Sequence, residues 1–222
     1  MCGIVGYIGP QTASPLLIEG LKRLEYRGYD SAGIATMNGT GLETRKAKGK
    51  IPMLETLVNG SPVHGTVGIA HTRWATHGPP NECNAHPHHD CTDSIAVVHN
   101  GIIENATSLR HELEQRGHKF KSETDTEVLA HLIEAASEDG EPLEDAVIDA
   151  LRLVEGTYGI AVISSRDPNK IVCARKGSPL LLGLGEGESY VASDVAAILE
   201  YTRQVVYLDD GEMGVLTRSG YE

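Results

Sequence analysis

Short apolar runs recur along this chain between stretches of mixed polarity. Each run is bounded by glycine or polar residues, and the runs cover residues 4–8, 67–70, 95–98 and 158–163. A run this short that is apolar at every position is typical of a strand covered on both faces. The pattern therefore predicts that these four segments are buried strands.

Helical patterns lie between the runs. Residues 14–28 start with the serine-proline pair typical of a helix N-terminus, carry leucines at helical spacing and end on glycine. Thr124 and Glu127 form a capping box that predicts a second helix, which ends before Gly140. Further helical patterns cover residues 105–116, 143–155 and 194–203. All of these predicted helices are apolar on one face, as surface helices are.

Strands that are apolar on both faces, combined with helices that are apolar on one, predict a layered fold. Two arrangements satisfy this pattern. Two sheets can pack face to face with helices outside, or a single parallel sheet can be covered by helices on both faces. The spacing leaves both open.

Composition limits the class of protein. At 222 residues with 40% hydrophobic content, the chain fits one globular domain. Acidic residues outnumber basic ones by 31 to 19, and the net charge of −12 repels nucleic acids and anionic membrane surfaces. No apolar run approaches the roughly 18 residues of a membrane helix, and the start lacks signal-peptide features. We therefore expect a cytoplasmic protein with neither nucleic acid nor membrane as a partner.

The second residue carries the first candidate chemistry. Removal of Met1 would leave Cys2 with a free α-amine, so that one residue would hold both a thiol nucleophile and a base. An α-amine with a pKa of about 7.7 to 8.0 can accept a thiol proton at neutral pH. Taken alone, a cysteine in this position is more often a small buried apolar residue.

Two further segments follow apolar runs. Residues 71–78 contain Arg73, whose guanidinium can bind a carboxylate through two hydrogen bonds, and Trp74, whose ring could cover a small ligand. Asn100 and Gly101 offer a side-chain amide and a backbone N–H that could hold an oxyanion, although Asn-Gly by itself favours a tight turn.

Asp125 falls in the first turn of the second predicted helix, where a carboxylate complements the helix dipole or holds a substrate ammonium.

Together these segments closely resemble one family. The chain is similar over essentially its whole length to the glutaminase domain of the glucosamine-6-phosphate synthases (glutamine–fructose-6-phosphate aminotransferase, isomerizing), which are class II glutamine amidotransferases. The segments that carry the resemblance are residues 1–6, 23–33, 71–78, 84–88, 97–105 and 122–127. The resemblance implies an α+β fold, the N-terminal nucleophile hydrolase fold, in which an αββα sandwich is built on antiparallel sheets. Residues 1–222 would then form one glutaminase domain.

The resemblance also implies roles for individual residues. The thiolate of Cys2 would attack the γ-carboxamide of L-glutamine, with its own α-amine relaying the proton and Asn100 and Gly101 holding the oxyanion. Arg73 would bind the substrate α-carboxylate and Asp125 its α-ammonium. The remaining assignments are a closing loop at Thr76 and His77, an ammonia gate at Trp74 and a positioning role for Arg27.

In the family, a sugar-phosphate isomerase domain receives the ammonia and converts fructose 6-phosphate to glucosamine 6-phosphate. We expect that domain to lie outside this chain, which leaves glutamine hydrolysis as its own activity. The alternatives are a glutaminase domain that serves another acceptor and a non-catalytic module of the same fold, with or without zinc. A homodimer is an open alternative to a monomer.

A dense set of potential metal ligands lies in the middle of the chain. Cys83, His86, His88, His89 and Cys91 fall within nine residues, and zinc could use such a set. Consecutive loop residues rarely close a tetrahedron around one ion, however, and the resemblance gives this segment no metal role. We therefore predict no cofactor and no metal, with zinc at this segment as the alternative.

Overall fold

The computed structural model describes residues 2–27, 29–74, 78–137 and 140–222, except for the side chain of Arg27. Within these ranges the helices are α1 (Ala13–Arg23), α2 (Ile51–Gly60), α3 (Ala106–Gln115), α4 (Glu127–Ala136) and α5 (Leu143–Arg152). The strands are β1 (Gly3–Ile8), β2 (Ser31–Asn38), β3 (Gly41–Lys48), β4 (Val67–Arg73), β5 (His88–His89), β6 (Ile95–Ile103), β7 (Gly156–Ser164), β8 (Asp167–Lys176), β9 (Leu181–Gly185), β10 (Glu188–Ala192), β11 (Gln204–Tyr207), β12 (Met213–Thr217) and β13 (Gly220–Tyr221). No helix in these ranges is long and apolar enough to cross a membrane.

The strands form two sheets. Counted over the described residues, the first has seven strands in the order β11-β9-β10-β1-β4-β2-β3, and the second has six in the order β13-β12-β8-β7-β6-β5. Neighbouring strands of both sheets pair antiparallel. Of the two arrangements that the pattern left open, the structure therefore has face-to-face sheets and not a parallel sheet.

Three apolar cores separate the layers. Leu17 of α1 and Leu54 of α2 pack in the core on the outer face of the first sheet. Ile69 of the first sheet and Ile163 of the second lie in the core between the sheets. Leu129 of α4 lies in the third core, which α3, α4 and α5 form on the outer face of the second sheet. The result is the αββα sandwich that the resemblance implies.

Strand β6 shows how the apolar runs produce these layers. Ile95 and Val97 belong to the core under the helices, whereas Ala96 and Val98 belong to the core between the sheets. Successive side chains of a strand point to opposite faces, so a strand with a core on each side must be apolar at every position. The four predicted strands are confirmed for this reason, each within a somewhat longer strand.

The predicted helix boundaries need correction at the first helix. Helix α1 begins at Ala13, with Thr12 in the cap position, and ends at Arg23, five residues before the predicted end. Ser14 does not cap the helix, because its hydroxyl donates to the carbonyl of Val63, 3.3 Å away. A serine before an apolar stripe thus serves a tertiary contact here.

The predicted capping box of the second helix is also wrong. Helix α4 begins at Glu127, and the residue in its cap position is Thr126. Thr124 instead lies 3.0 Å from the imidazole of His88, and the Glu127 carboxylate accepts a hydrogen bond from the N–H of Ser122 at 2.6 Å. Both side chains hold the segment before the helix, residues 122–126, in place.

Whether the remaining elements were predicted depends on how regular their pattern of apolar residues is. Helices α3 and α5 lie where the stripes predict them, but the stripe at residues 194–203 forms only the short 3-10 helix Val195–Ala197. The predictions did not include α2, β2, β3, β5 or the strands from β8 to β13. Strand β3 is at the edge of its sheet and carries mostly partly exposed polar residues, so it has no apolar run to reveal it.

Candidate active site

Cys2 lies directly before β1, a strand inside the first sheet. The neighbouring strand β4 runs antiparallel to it, with Gly3 opposite Thr72. This register brings the end of β4 beside the thiol. The Cys2 Sγ accepts a hydrogen bond from the backbone N–H of Trp74 at 3.2 Å and lies 3.7 Å from the Trp74 carbonyl oxygen. The nucleophile is therefore held by backbone groups of the segment that follows β4.

The thiol of Cys2 needs a base. Burial raises its pKa above the ordinary value of 9.0, against the opposing effect of the Trp74 N–H. A thiol with this pKa is protonated at neutral pH, and only its thiolate is a strong nucleophile. An α-amine on the same residue would lie in position to take the proton. Met1, whose removal would create that amine, lies outside the described residues.

Asn100 reaches the nucleophile from the second sheet. Its Nδ2 donates to the backbone carbonyl of Cys2 at 3.3 Å, and its Oδ1 lies 2.9 Å from Nε2 of His71. Burial lowers the pKa of His71 to about 3, so the imidazole is neutral at physiological pH. Because an amide oxygen can only accept, the Nε2 atom of His71 carries the proton. His71 thus orients the Asn100 amide so that its N–H groups face Cys2.

The sequence segment that contains His71 was singled out, but no role was predicted for this residue. Its position at the end of an apolar run was the available signal, since a histidine buried at a strand end must find a hydrogen-bond partner. The sequence could not show that this partner is Asn100, because the two residues lie on strands of different sheets.

Gly101 has a backbone that favours glycine. Its φ is +134°, and an added Cβ would overlap the carbonyl oxygen of Thr157. Both Asn100 and Gly101 belong to β6, where they pair with β7. The tight turn that the Asn-Gly pair favours is therefore not formed. Glycine here allows β6 to lie close to the backbone of β7, next to the Asn100 amide.

Arg73 ends β4 next to the segment that holds Cys2. Its side chain is 3% exposed, and its Nη2 donates to the carbonyl of Gly78 at 3.2 Å. The Trp74 side chain is 55% exposed, as a ring at the mouth of a site would be. Thr76 and His77 lie outside the described residues, as does the Arg27 side chain.

Asp125 lies just before α4 and not in its first turn. Its Oδ2 accepts a hydrogen bond from the backbone N–H of Ile103 at 2.9 Å, and its side chain is largely buried. Ile103 is three residues from Asn100 on the same strand. The carboxylate is therefore fixed to the strand that carries the amide donor, which explains its position better than complementing the helix dipole.

Asn84 joins the loop after Gly78 to the segment that contains Asp125. Its Nδ2 donates to the Pro79 carbonyl at 3.0 Å and to the Glu123 carboxylate at 3.2 Å, and its Oδ1 accepts from the Glu123 N–H at 3.0 Å. It is buried, so these bonds replace those to water. Asn84 was noted only as part of a motif, and its linking role was not predicted.

The five clustered Cys and His residues do not share one site. The Cys83 thiol donates to the carbonyl of Lys121 at 2.7 Å. The His86 ring meets the His88 ring edge to face, with centroids 4.8 Å apart, and both residues are buried. Among the described residues, only Cys91 of the five joins a group whose ligand atoms could hold one ion.

The site as a whole combines a nucleophile, a preorganised amide donor, a buried guanidinium and a buried carboxylate. The residue before β1, the last residue of β4, the second half of β6 and the segment before α4 supply these groups. The arrangement suits attack on an amide or ester whose substrate carries one negative and one positive group.

Comparison with known proteins identifies the type of domain. Residues 71–200 match the family model described as glutamine amidotransferase domain. The chain is 58% identical to glutamine–fructose-6-phosphate aminotransferase (isomerizing) of Chlorobaculum tepidum and 52% identical to that of Thermococcus kodakarensis. In both cases all of this chain is covered, and it spans 37% of the relative's length.

Solved structures share the fold. The chain aligns over its whole length with glutamine phosphoribosylpyrophosphate amidotransferase from B. subtilis, with a TM-score of 0.85 and 29% identity, covering 48% of that chain. A structure described as the allosteric regulatory enzyme of purine biosynthesis gives a TM-score of 0.86 at 30% identity, again with 48% of that chain covered. These similarities agree with the predicted N-terminal nucleophile hydrolase fold.

Proposed function

The chain belongs to the glutamine amidotransferase domain family, and we propose that it hydrolyses L-glutamine to L-glutamate and ammonia through the thiol of Cys2. One observation carries the assignment of the nucleophile. The Asn100 amide donates to the backbone carbonyl of Cys2, the residue that carries the thiol, and His71 holds that amide with its N–H groups toward Cys2. A carbonyl that Cys2 attacks would develop its negative charge next to that donor.

The reaction proceeds in two halves. The α-amine of Cys2 takes the thiol proton, and the thiolate adds to the γ-carbonyl carbon, placing the negative charge on the carbonyl oxygen between Asn100 Nδ2 and the Gly101 N–H. The protonated amine then gives its proton to the amide nitrogen as the C–N bond breaks, and ammonia leaves. Water, deprotonated by the same amine, cleaves the thioester and releases glutamate.

We assign the two α-groups of glutamine to the buried charges. The Arg73 guanidinium would bind the α-carboxylate through two hydrogen bonds, and the Asp125 carboxylate would bind the α-ammonium. Both side chains are buried at fixed points on β4 and before α4, so they would set the distance from the α-carbon to the attacked carbonyl. Asparagine, one methylene shorter, would not reach the thiol.

The remaining roles rest on the family resemblance. Thr76 and His77 would close over bound glutamine, and Arg27 would position the Cys2 end of β1. Trp74, whose ring is exposed and whose backbone holds the thiol, would gate the path of ammonia.

The names of the relatives support a proposal for the acceptor. We propose that the ammonia passes to a sugar-phosphate isomerase domain that converts fructose 6-phosphate to glucosamine 6-phosphate. A nucleophilic thiol stays active only in its reduced form, which supports a cytoplasmic location. The formation of a homodimer stays a prediction.

The direct test combines a glutaminase assay with intact mass spectrometry. The purified chain should lack Met1, release glutamate from glutamine, and gain one adduct on Cys2 after incubation with the glutamine analogue 6-diazo-5-oxonorleucine. Cys2→Ala should abolish both the activity and the adduct. Cys83→Ser, at an exposed cysteine, is the matched control and should keep both. A chain without Met1 that neither reacts with the analogue nor hydrolyses glutamine would contradict the proposal.

A further inference from the structure

A second group of ligand-type side chains lies where three segments meet outside the proposed active site. Cys91 comes from the turn between β5 and β6, and His118 comes from the loop after α3. His131 and Glu134 are three residues apart on α4, so they share one face of that helix. The Sγ, imidazole nitrogen and carboxylate oxygen atoms of these four residues all lie within 4.8 Å of one another.

Three of the four measured separations in this group lie close to the edges of a zinc tetrahedron, and the fourth, between Glu134 and His118, is shorter. The Cys91 Sγ lies 3.7 Å from His118 Nδ1 and 3.5 Å from His131 Nδ1. The Glu134 Oε2 lies 2.8 Å from His118 Nδ1 and 3.2 Å from His131 Nδ1. Zinc–ligand bonds of about 2.0 to 2.3 Å at tetrahedral angles require sulfur–nitrogen separations of about 3.6 Å and nitrogen–oxygen separations of about 3.3 Å. Both imidazoles thus present their Nδ1 atoms to the Cys91 sulfur and the Glu134 carboxylate.

The surroundings are those that support metal ligands. The backbone N–H of Lys119 donates to the Cys91 sulfur at 3.4 Å, as backbone amides do to a thiolate. Behind His131, its other nitrogen Nε2 lies 3.7 Å from the Glu127 carboxylate, which is too long for a hydrogen bond but places a negative charge behind the ligand ring. The Phe120 ring packs against His131, with centroids 4.3 Å apart. His131 is buried and Cys91 is exposed, so an ion can enter from the Cys91 side.

We propose that Cys91, His118, His131 and Glu134 bind one structural Zn²⁺ ion. A thiolate, two imidazoles and a carboxylate at near-tetrahedral separations suit zinc better than the hard cations, which prefer oxygen ligands alone. Because the protein supplies all four ligands, no position is left for water or substrate, which makes the site structural and not catalytic.

This proposal revises the sequence-based prediction of no metal. Cys91 was considered as a zinc ligand, but with neighbours in its own loop. The other three ligands of the proposed site lie between 27 and 43 residues further along the chain, and a short-range spacing search does not connect them. The fold brings them together because α4 packs against both α3 and β5, the edge strand of the second sheet.

The ion would join the turn at 90–94, the loop at 116–121 and α4. Its nearest link to the active site is the segment 122–126, which carries Asp125 and is held at one end by Glu127. The zinc proposal does not depend on glutamine hydrolysis, because metal content can be measured without any assay of activity.

The first experiment measures bound metal. Tag-free protein, expressed in zinc-supplemented medium and desalted, should contain one Zn²⁺ per chain by plasma emission or mass spectrometry. Cys91→Ser should lower that content about tenfold or more, because it removes the thiolate ligand. Cys83→Ser removes an exposed cysteine outside the group and should leave the content unchanged.

The second experiment uses the wild-type chain alone, so it stays informative if Cys91→Ser folds poorly. After removal of metal by a chelator, reduced protein should bind one Co²⁺ with the strong visible absorption of a tetrahedral site and a thiolate-to-cobalt charge-transfer band. Zn²⁺ should displace the Co²⁺ and raise the melting temperature. Protein that carries no zinc as purified and binds neither Zn²⁺ nor Co²⁺ would overturn the proposal, as would full zinc content in a folded Cys91→Ser variant.

Discussion

The orientation of the Asn100 amide depends on the imidazole of His71. The two groups meet at 2.9 Å across the space between the sheets, where water does not compete for the bond. A primary amide can rotate so that its oxygen and nitrogen exchange places, and the neutral His71 imidazole allows only one of the two orientations. A residue that need not touch glutamine therefore decides whether the oxyanion meets N–H groups or a carbonyl oxygen.

We expect His71→Leu to lower kcat for glutamine hydrolysis by about 10- to 100-fold with little change in KM, because the donor acts mainly on the transition state. His71→Gln offers an N–H donor at a similar reach and should recover part of the loss. His64→Ala, at an exposed histidine, is the control and should behave as the wild type. Steady-state glutaminase kinetics measure all three. Unchanged kcat in a folded His71→Leu variant would rule out the positioning role.

Gly101 gives a second prediction. An alanine at this position would strain the backbone at φ +134° and press its Cβ into the Thr157 carbonyl. We expect Gly101→Ala to lower kcat by about 100-fold or more through displacement of the oxyanion donors. Backbone strain alone should lower the free energy of unfolding by about 1–3 kcal/mol.

The control for Gly101→Ala is Gly41→Ala at the turn between β2 and β3. Gly41 has a similar φ of +148°, but no heavy atom lies within 4 Å of an added Cβ. This variant should lose some stability and keep its activity. Urea unfolding and glutaminase rates for the two variants separate backbone strain from displacement of the site. Equal activity in both would contradict the account of Gly101.

Among the elements, strands buried on both faces could be predicted from the sequence only where the apolar run is continuous. Strands β1, β4, β6 and β7 are flanked by two cores, and their continuous apolar runs reveal them. Strand β2 is also buried along almost its whole length, but serine, glycine and threonine interrupt its run. Strand β3 has a neighbour on one side only and a mixed surface, so nothing in its composition separates it from a loop. At residues 194–203 the apolar pattern predicted a helix that does not form. Its apolar residues are buried in the core, but a short 3-10 helix and turns place them there.

The predicted starts of α1 and α4 were wrong because the side chains expected to cap these helices form tertiary contacts instead. Ser14 bonds to Val63, and Thr124 lies against His88. The site residues also fall into those that the sequence indicates and those that only the folded structure shows. Cys2, Arg73, Asn100, Gly101 and Asp125 could be selected as candidates from their residue types and positions. Contacts between distant segments, such as those of His71 and Asn84, exist only in the folded chain.

The loop after β4 and the segment before α4 are coupled through Asn84, which supplies a prediction at this scale. Asn84→Asp would place a second carboxylate beside Glu123 and remove the N–H groups that bind Pro79 and Glu123. We expect KM for glutamine to rise about tenfold, because the segments that carry Gly78 and Asp125 would separate, and stability to fall by about 1–3 kcal/mol. Asn59→Asp, on the exposed face of α2, is the matched control. An unchanged KM would show that the two segments are positioned independently.

For the molecule as a whole, the resemblance to the glutaminase family predicted more of the fold than the pattern of apolar residues did. Periodicity indicated layers of sheet and helix, but it could not decide between antiparallel and parallel strands. Strand direction depends on connections whose lengths fit both arrangements, whereas the family motifs specify one known fold. The structure confirms that fold through the antiparallel pairing of both sheets.

The space beside the active site contains a group of buried histidines that makes stability depend on pH. Burial lowers the pKa of His71 to about 3, and it lowers the pKa of His86 and His88 well below 6.5, with neighbouring positive charges adding to the effect. In the unfolded chain each histidine titrates near 6.5. Below that value the unfolded state binds protons that the folded state does not. The contribution of these histidines to the free energy of unfolding is therefore complete above about pH 6.5. It is lost as the pH falls toward their pKa values in the folded protein.

We expect the free energy of unfolding to fall by about 1.4 kcal/mol per pH unit for each of these histidines between about pH 6 and pH 4.5. His86→Leu removes one titrating group from the packed cluster, so its unfolding free energy should depend on pH less steeply by about that amount. His64→Ala, at an exposed position, should keep the wild-type slope. Urea unfolding across this range, with a chelator present so that metal release does not contribute, measures the slopes. A His86→Leu slope equal to that of the wild type would mean that His86 binds its proton equally in the folded and unfolded protein, so that His86 would not contribute to acid sensitivity.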